Sequence, residues 1–386
     1  MNHRSLLAPG ARTACAVLGA IGAAAFLMGL KLAPQRALAA FLLGNTYFLM
    51  LAITALVFIA IQNLVAAGWP TLFRRVPEAM TAYLPFGALG MIVVLLGSHS
   101  LYHWAHHAAA VHDPVLHAKA GYLNLPFWAL RAVAILAAWM VFARLIVKNS
   151  RRQDVDGRVE HTQKNKKLSA AFLAVFGLTF TLASIDWVMS LEPHWYSTMF
   201  PWYMFGGAFL HSLAAIALLT ILLNWRGLFP ELNQYHRHDL GKYVFAFGVF
   251  WAYLWFCQFL LIWYANIPEE TAYYAVRSSR GWMAVQAASL LGNFLAPSAL
   301  LLGIAAKKDD RFLFAACVSV CLGRGLDLYV MIMPSVSAAA KPHWVDVPVF
   351  LGLAGVFVLL FDRAFAAAPA VPEKDPYLVE SLHHHG

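Results

Sequence analysis

Of the ionisable side chains inside long apolar runs, where an unpaired charge costs several kcal/mol, five are candidates for chemistry. They are Arg131, Asp186, His211, Arg324 and Asp327. Asp186 lies about five residues from the outer end of its apolar run, roughly 8 Å deep at 1.5 Å per residue. Asp327 sits at the matching depth of a later run, one turn after Arg324 on the same helical face. Arg131 enters its run from the same side as Asp186, so the spacing pairs Asp186 with Arg131 and Asp327 with Arg324. One reading makes these buried ion pairs that fix helix register. The other makes a carboxylate a proton acceptor or relay, a role suited to a group near the surface with a raised pKa. Thr179, seven residues before Asp186 on the same face, continues such a path inward. Gln258, Gln286 and Asn293 add buried amides, which more often join helices than do chemistry.

The elements that must position these groups cross a membrane. Of 386 residues, 61% are hydrophobic and only 12% are charged, against about 25% charged in soluble domains. The mean hydropathy is +0.63. Apolar stretches long enough to cross a hydrocarbon core of about 30 Å recur along the chain. They place ten spans near 12–32, 38–66, 84–105, 124–147, 168–191, 198–224, 241–265, 281–305, 312–333 and 345–363. The fold class expected is an all-α integral membrane protein. The run Thr13 to Leu30 is too long for a signal-peptide core. The net charge of +9 resides in short loops, which argues for orientation and anionic lipid rather than nucleic acid. Loops on the side of the N-terminus collect nineteen of the 28 Lys and Arg, and the opposite loops six. Both termini are therefore expected in the cytoplasm, with the chain multi-pass in a bacterial inner membrane.

The spans carry a weak internal repeat. Asp186-Trp187-Val188-Met189 matches Asp327-Leu328-Tyr329-Val330-Met331, and Pro-His-Trp follows each, at 193–195 and 342–344. LYHWA (101–105) ends the third span much as LIWYA (261–265) ends the seventh. Residues 1–366 thus read as one polytopic domain with copies over about 38–195 and 198–344. Four crossings preserve orientation, so the repeat is parallel, and two four-helix bundles flanked by spans 1 and 10 are expected. The basic stretch Asn149 to Lys167 reads as the longest polar loop, and 367–386 as a polar cytoplasmic tail.

Other residue types are less informative. Cys15, Cys257, Cys317 and Cys321 lie in apolar runs outside any CxxC pattern, so no iron–sulfur cluster or covalent haem is expected. Of sixteen histidines, only His99, His103 and His211 are placed within spans, and no helix offers two at haem-spanning separation. His103, His106 and His107 would share one helical face, and with His112, Asp113 and His117 they could ligate a metal. A wet interfacial cluster is the simpler reading, and no metal is assigned. Trp187, Trp195, Tyr196 and Tyr264 are candidates to stack on a quinone ring, against a default of interfacial belt and helix packing.

Two stretches, DWVMSLEPHWYSTMF (186–200) and FAFGVFWAYLWFCQFLLIWYANIPEET (245–271), resemble signatures of the F subunit of bacterial alternative complex III. Tyr273-Tyr274, Arg277, LYHWA (101–105), DPVLHAKAGYLN (113–124) and QDVDG (153–157) extend the likeness over more than half the chain. The resemblance implies an NrfD-like fold and membership of a quinol:cytochrome c or quinol:oxidase oxidoreductase. It implies no haem or iron–sulfur centre in this chain, and quinone or menaquinone as the ligand at issue. Implied partners are a multihaem cytochrome c, an iron–sulfur subunit and a paralogous NrfD-like subunit, besides lipid. The motif itself covers Asp186; roles for His211, Arg324 and Asp327 rest on depth and chemistry. A proton-coupled secondary transporter and a purely structural membrane subunit remain as alternatives.

Overall fold

Backbone amides have no water to bond within a bilayer, so each apolar run must close its hydrogen bonds internally as a helix. The computed structural model, which describes residues 6–106 and 113–385, is all-helical with no strand among those residues. Among the described residues, ten helices are long and apolar enough to cross a membrane: Pro9–Leu32, Pro34–Leu64, Arg75–Leu96, Leu125–Asp156, Val159–Leu191, Phe200–Asn224, Gln234–Ala265, Trp282–Leu300, Asp310–Ser335 and Asp346–Phe365. They are the first to tenth spans below.

The second and sixth spans form the axis, since 83% of the apolar window of each is buried by protein. Both are apolar all round, as a helix surrounded by other helices must be. The second packs on the third, fifth, sixth and tenth; the third packs on the fourth, and the fourth on the fifth. The sixth packs on the seventh and ninth, and the eighth on the ninth. The first span leans on the tenth, where a Cβ on Gly22 would fall 2.6 Å from Gly352 Cα. Only glycine permits that backbone approach, the usual device for close helix contact in membranes.

Several expected boundaries shift. The stretch 149–167 is no loop: the fourth span runs helically to Asp156, and the fifth begins at Val159. Gly157, at φ 70°, supplies the left-handed turn between them. Asn149 Nδ2 donates to the carbonyl of His161 at 2.7 Å and to Asn165 Oδ1 at 2.9 Å. These bonds join the two helices beyond the apolar layer, where charged side chains stay solvated.

The third span stops short instead. Its helix ends at Leu96, a single turn covers Ser98–Leu101, and His103–Ala105 is a 3-10 turn. LYHWA therefore does not end a helix as LIWYA does in the helix that closes at Ala265. The eighth span is interrupted by a π-helical turn, Leu291–Leu295, just before Pro297, which cannot donate a backbone N–H. Residues 367–385 fold back onto the end carrying both termini. There Asp375 pairs with Arg74, and Ser381 Oγ donates to the Trp69 carbonyl at 2.7 Å.

Candidate functional site

Both aspartates find arginines, in different ways. Arg131 holds Asp186 with two parallel bonds, Nε to Oδ2 at 2.7 Å and Nη2 to Oδ1 at 3.0 Å. Its remaining nitrogen, Nη1, donates to the Tyr122 carbonyl at 3.0 Å. The guanidinium lies over the rings of Tyr122 and Phe127, 3.8 and 4.3 Å from their centroids. Backbone carbonyls at this helix end are capped too: Trp128 Nε1 and Ser190 Oγ donate to that of Asp186, and the Tyr102 hydroxyl to that of Trp187. Burial, helped by the Asp186 carboxylate, pushes the Tyr122 phenol up to about 12. Both Asp186 carboxylate oxygens are thus taken by Arg131, and none of the larger cavities reaches Asp186. The nearby Tyr122 hydroxyl and Trp187 Nε1 are buried without a hydrogen-bond partner among the described residues.

Asp327 differs. Arg324, one turn earlier on the same helix, donates Nη1 to its Oδ2 at 2.5 Å. The other oxygen accepts from the Tyr203 hydroxyl, which comes from the sixth span. Arg324 Nη2 meets the Met204 sulfur at 3.0 Å. A Cβ on Gly207 would collide with Arg324 Nη1, so a glycine there makes room for the guanidinium. Asp327 also borders a small polar cavity of 20 Å³, with Tyr203, Gln258, Tyr274, Gln286 and Arg277 among its walls. That volume exceeds the ~10–15 Å³ a single water requires.

His211 follows Tyr203 and Gly207 at four-residue intervals, hence on the same face of the sixth span. It is 1% exposed, and its Nε2 finds no hydrogen-bond partner among the described residues. Its ring lies 4.1 Å from that of Tyr47, whose hydroxyl donates to the Cys321 carbonyl at 2.9 Å. Polar side chains continue along the axis beyond it. Ser212 Oγ donates to the Leu51 carbonyl, Thr54 Oγ1 to that of Ala208, and Gln62 Nε2 to the Tyr243 hydroxyl.

Thr179 does not extend a path from Asp186. Its hydroxyl bonds back to the Val175 carbonyl at 2.8 Å and accepts Trp139 Nε1 at 2.9 Å. Arg277 performs on the ninth span the capping that Trp128 and Tyr102 perform on the fifth: it donates to the carbonyls of Val330 and Met331. It also pairs with Glu192 at 2.5 Å, tying the segment after the seventh span to the turn after the fifth. Burial opposes its charge, but the nearby Tyr273 and the Glu192 carboxylate outweigh that and hold the guanidinium pKa above its ordinary value.

The aromatic candidates do not gather. Trp187 is fully buried, and Trp195 stacks on Tyr273 with centroids 3.9 Å apart. Tyr196 and Tyr264 are 57% and 84% exposed, and none of the four borders the cavities described here. A groove of 430 Å³ opens elsewhere, between the second, ninth and tenth spans, walled by Leu43, Leu326, Tyr329, Phe350 and Leu351. Beside it Arg36 bonds the Tyr329 hydroxyl at 2.7 Å and the Asp346 carboxylate. Its walls come from three distant spans, so spacing along the chain gave no signal for it.

The histidine face expected from His103 onward does not form as drawn, because His103–Ala105 is a 3-10 turn rather than part of an α-helix. His103 and His106 approach only to 6.5 Å between ring centroids, and His107 and His112 lie outside the described residues. Asp113 instead caps the helix Pro114–Lys119 and accepts from His194 Nε2 at 2.5 Å. Among the described residues no three His, Cys, Asp or Glu side chains are grouped to hold a metal.

No family model matches the chain, and no curated protein is significantly similar to it.

Proposed function

We propose that this chain is an integral subunit of a quinol-oxidising respiratory complex of the alternative complex III kind. In this reading it carries no haem or iron–sulfur centre of its own and contributes a proton path beside a quinone-contacting surface. The observation that carries the reading is the placement of Asp327: buried, shared between Arg324 and Tyr203, and facing a polar cavity large enough for water. Quinol oxidation releases two protons with two electrons. The electrons leave for centres in partner subunits, and a carboxylate in contact with a phenol and water can accept and pass on the protons. The side chains of Arg277 and Glu192 lead from this cavity toward the outer end, and His211 with the axial hydroxyls and amides leads the other way.

The fully engaged Asp186 suits a structural role, so the proton role is assigned to Asp327 rather than shared. The quinone-contacting surface is the 430 Å³ groove beside Tyr329, within the ~300–1,000 Å³ range of ligand sites. The packing of the second to fifth and sixth to ninth spans accords with two NrfD-like bundles, flanked by the first and tenth. The side rich in Lys and Arg, with both termini, faces the cytoplasm of a bacterial inner membrane. A secondary transporter would break helices at matching places in both halves. The eighth span is broken at Leu291–Leu295, whereas its counterpart, the fourth, runs unbroken through 32 residues.

The test is Asp327→Asn in the purified complex reconstituted into vesicles. Quinol-driven proton movement should fall at least tenfold while the subunits still assemble. Unchanged proton movement in an assembled complex would remove Asp327 from the path.

A further inference from the structure

A long groove runs between the third and fourth spans and changes character along its length. Toward the end that carries both termini it has a volume of 820 Å³ and is walled on the fourth span by Arg144, Lys148, Arg151 and Arg152. Across Pro85 and Met140, which border both parts, it continues as an apolar trough of 420 Å³ lined by Leu89, Ile92, Val133 and Ala137.

The four cations fall at i, i+4, i+7 and i+8, on one helical face and over about 12 Å of helix. Among the described residues Arg144, Lys148 and Arg152 form no ion pair, and Arg151 Nε is buried without a hydrogen-bond partner. The carboxylate in the wall, Glu78, pairs through one oxygen with Arg75, which also holds Asp154. Its other oxygen has no hydrogen-bond partner among the described residues, so one wall carboxylate stands against four cations. Such a surplus of positive charge at the edge of hydrocarbon calls for a negative occupant. The trough above it accepts chains rather than a polar solute.

We propose that this groove is a binding site for one anionic phospholipid. The phosphate of its headgroup sits among Arg144, Lys148, Arg151 and Arg152, and its acyl chains lie in the trough past Pro85 and Met140. Guanidinium groups suit phosphate by their paired donors, and basic pockets between spans are the usual setting for anionic headgroups. The site is independent of the proposed proton path, since neither part of the groove is lined by Asp327, Tyr203, Arg324 or His211.

The experiment is native mass spectrometry of the full protein in its purified assembly, delipidated and then titrated with phosphatidylglycerol, cardiolipin or phosphatidylethanolamine. Anionic lipid should be retained in preference to phosphatidylethanolamine. The triple variant Arg144→Gln, Lys148→Gln, Arg152→Gln should weaken that retention on the order of 100-fold, at about fivefold for each basic residue. Ala137→Trp, which fills the trough and leaves every charge in place, should weaken it as well. Equal neutralisation elsewhere at the same end, Lys164→Gln with Lys166→Gln and Lys167→Gln, should have little effect. Equal retention of all three lipids would overturn the proposal. So would equal loss in the control variant, or a partner subunit's helix occupying the groove in the assembly.

Discussion

The Tyr203 hydroxyl, carried by the sixth span, donates to the Asp327 carboxylate on the ninth. This bond joins the central helix of the molecule to a buried carboxylate that faces both an arginine and a polar cavity. Replacing Tyr203 by Phe removes one charge-assisted bond at a nearly closed site and should cost about 1.5–3 kcal/mol of stability. It should also slow quinol-driven proton movement more than Asp186→Asn does. Proton flux per quinol, compared between the two assembled variants, decides this ordering.

Asp186→Asn has a different signature. It leaves Arg131, 8% exposed, without its countercharge, and breaking a buried pair costs about 3–5 kcal/mol. The expected outcome is a lower thermal midpoint or poor assembly. Whatever complex does assemble should keep its proton flux. An Asp186→Asn complex of normal stability that had lost proton movement would reverse the roles assigned to the two aspartates.

Gly207→Ala probes the space in which Arg324 sits. A single methyl there meets Arg324 Nη1, so the guanidinium must shift away from Asp327. Overpacking of this kind costs about 1–3 kcal/mol. Gly177→Ala, at a mid-helix position with open space around it, is the matched control. It should leave the thermal midpoint unchanged or raise it, since alanine favours the helix by about 0.5–1 kcal/mol.

In the segment before the fourth span, Asp113 is held below the usual carboxylate range, chiefly by its bond to His194 and also by the amides it caps. A depressed carboxylate stabilises the folded arrangement above its unfolded pKa of about 3.9 and loses that effect as pH falls through its lower folded value. Amide protection in Pro114–Lys119, corrected for intrinsic exchange, should therefore drop below about pH 4. His194→Gln should weaken this pH-dependent step.

Much of this arrangement was legible in the sequence because two of its rules are local. Hydropathy alone places ten spans, since each must satisfy its own backbone. The three-residue spacing of Arg324 and Asp327 puts them on one face, and Arg131 and Asp186 are matched by depth. What was not legible depends on contacts between distant segments. No spacing rule brings Tyr203 to Asp327, Arg277 to the carbonyls of Val330 and Met331, or Asp375 to Arg74. The helices across 149–167 were hidden because hydropathy reports where hydrocarbon ends, not where a helix does. The face drawn through His103, His106 and His107 assumed a helix that stops before them.

The central claim is that this chain belongs to a quinol-oxidising assembly, and gentle detergent purification from the native membrane tests it most directly. The account predicts co-purification with a multihaem cytochrome c and an iron–sulfur subunit, and a reduced-minus-oxidised haem spectrum that develops on adding quinol. Recovery of the chain alone, without partners and without any quinol-dependent spectral change, would contradict it.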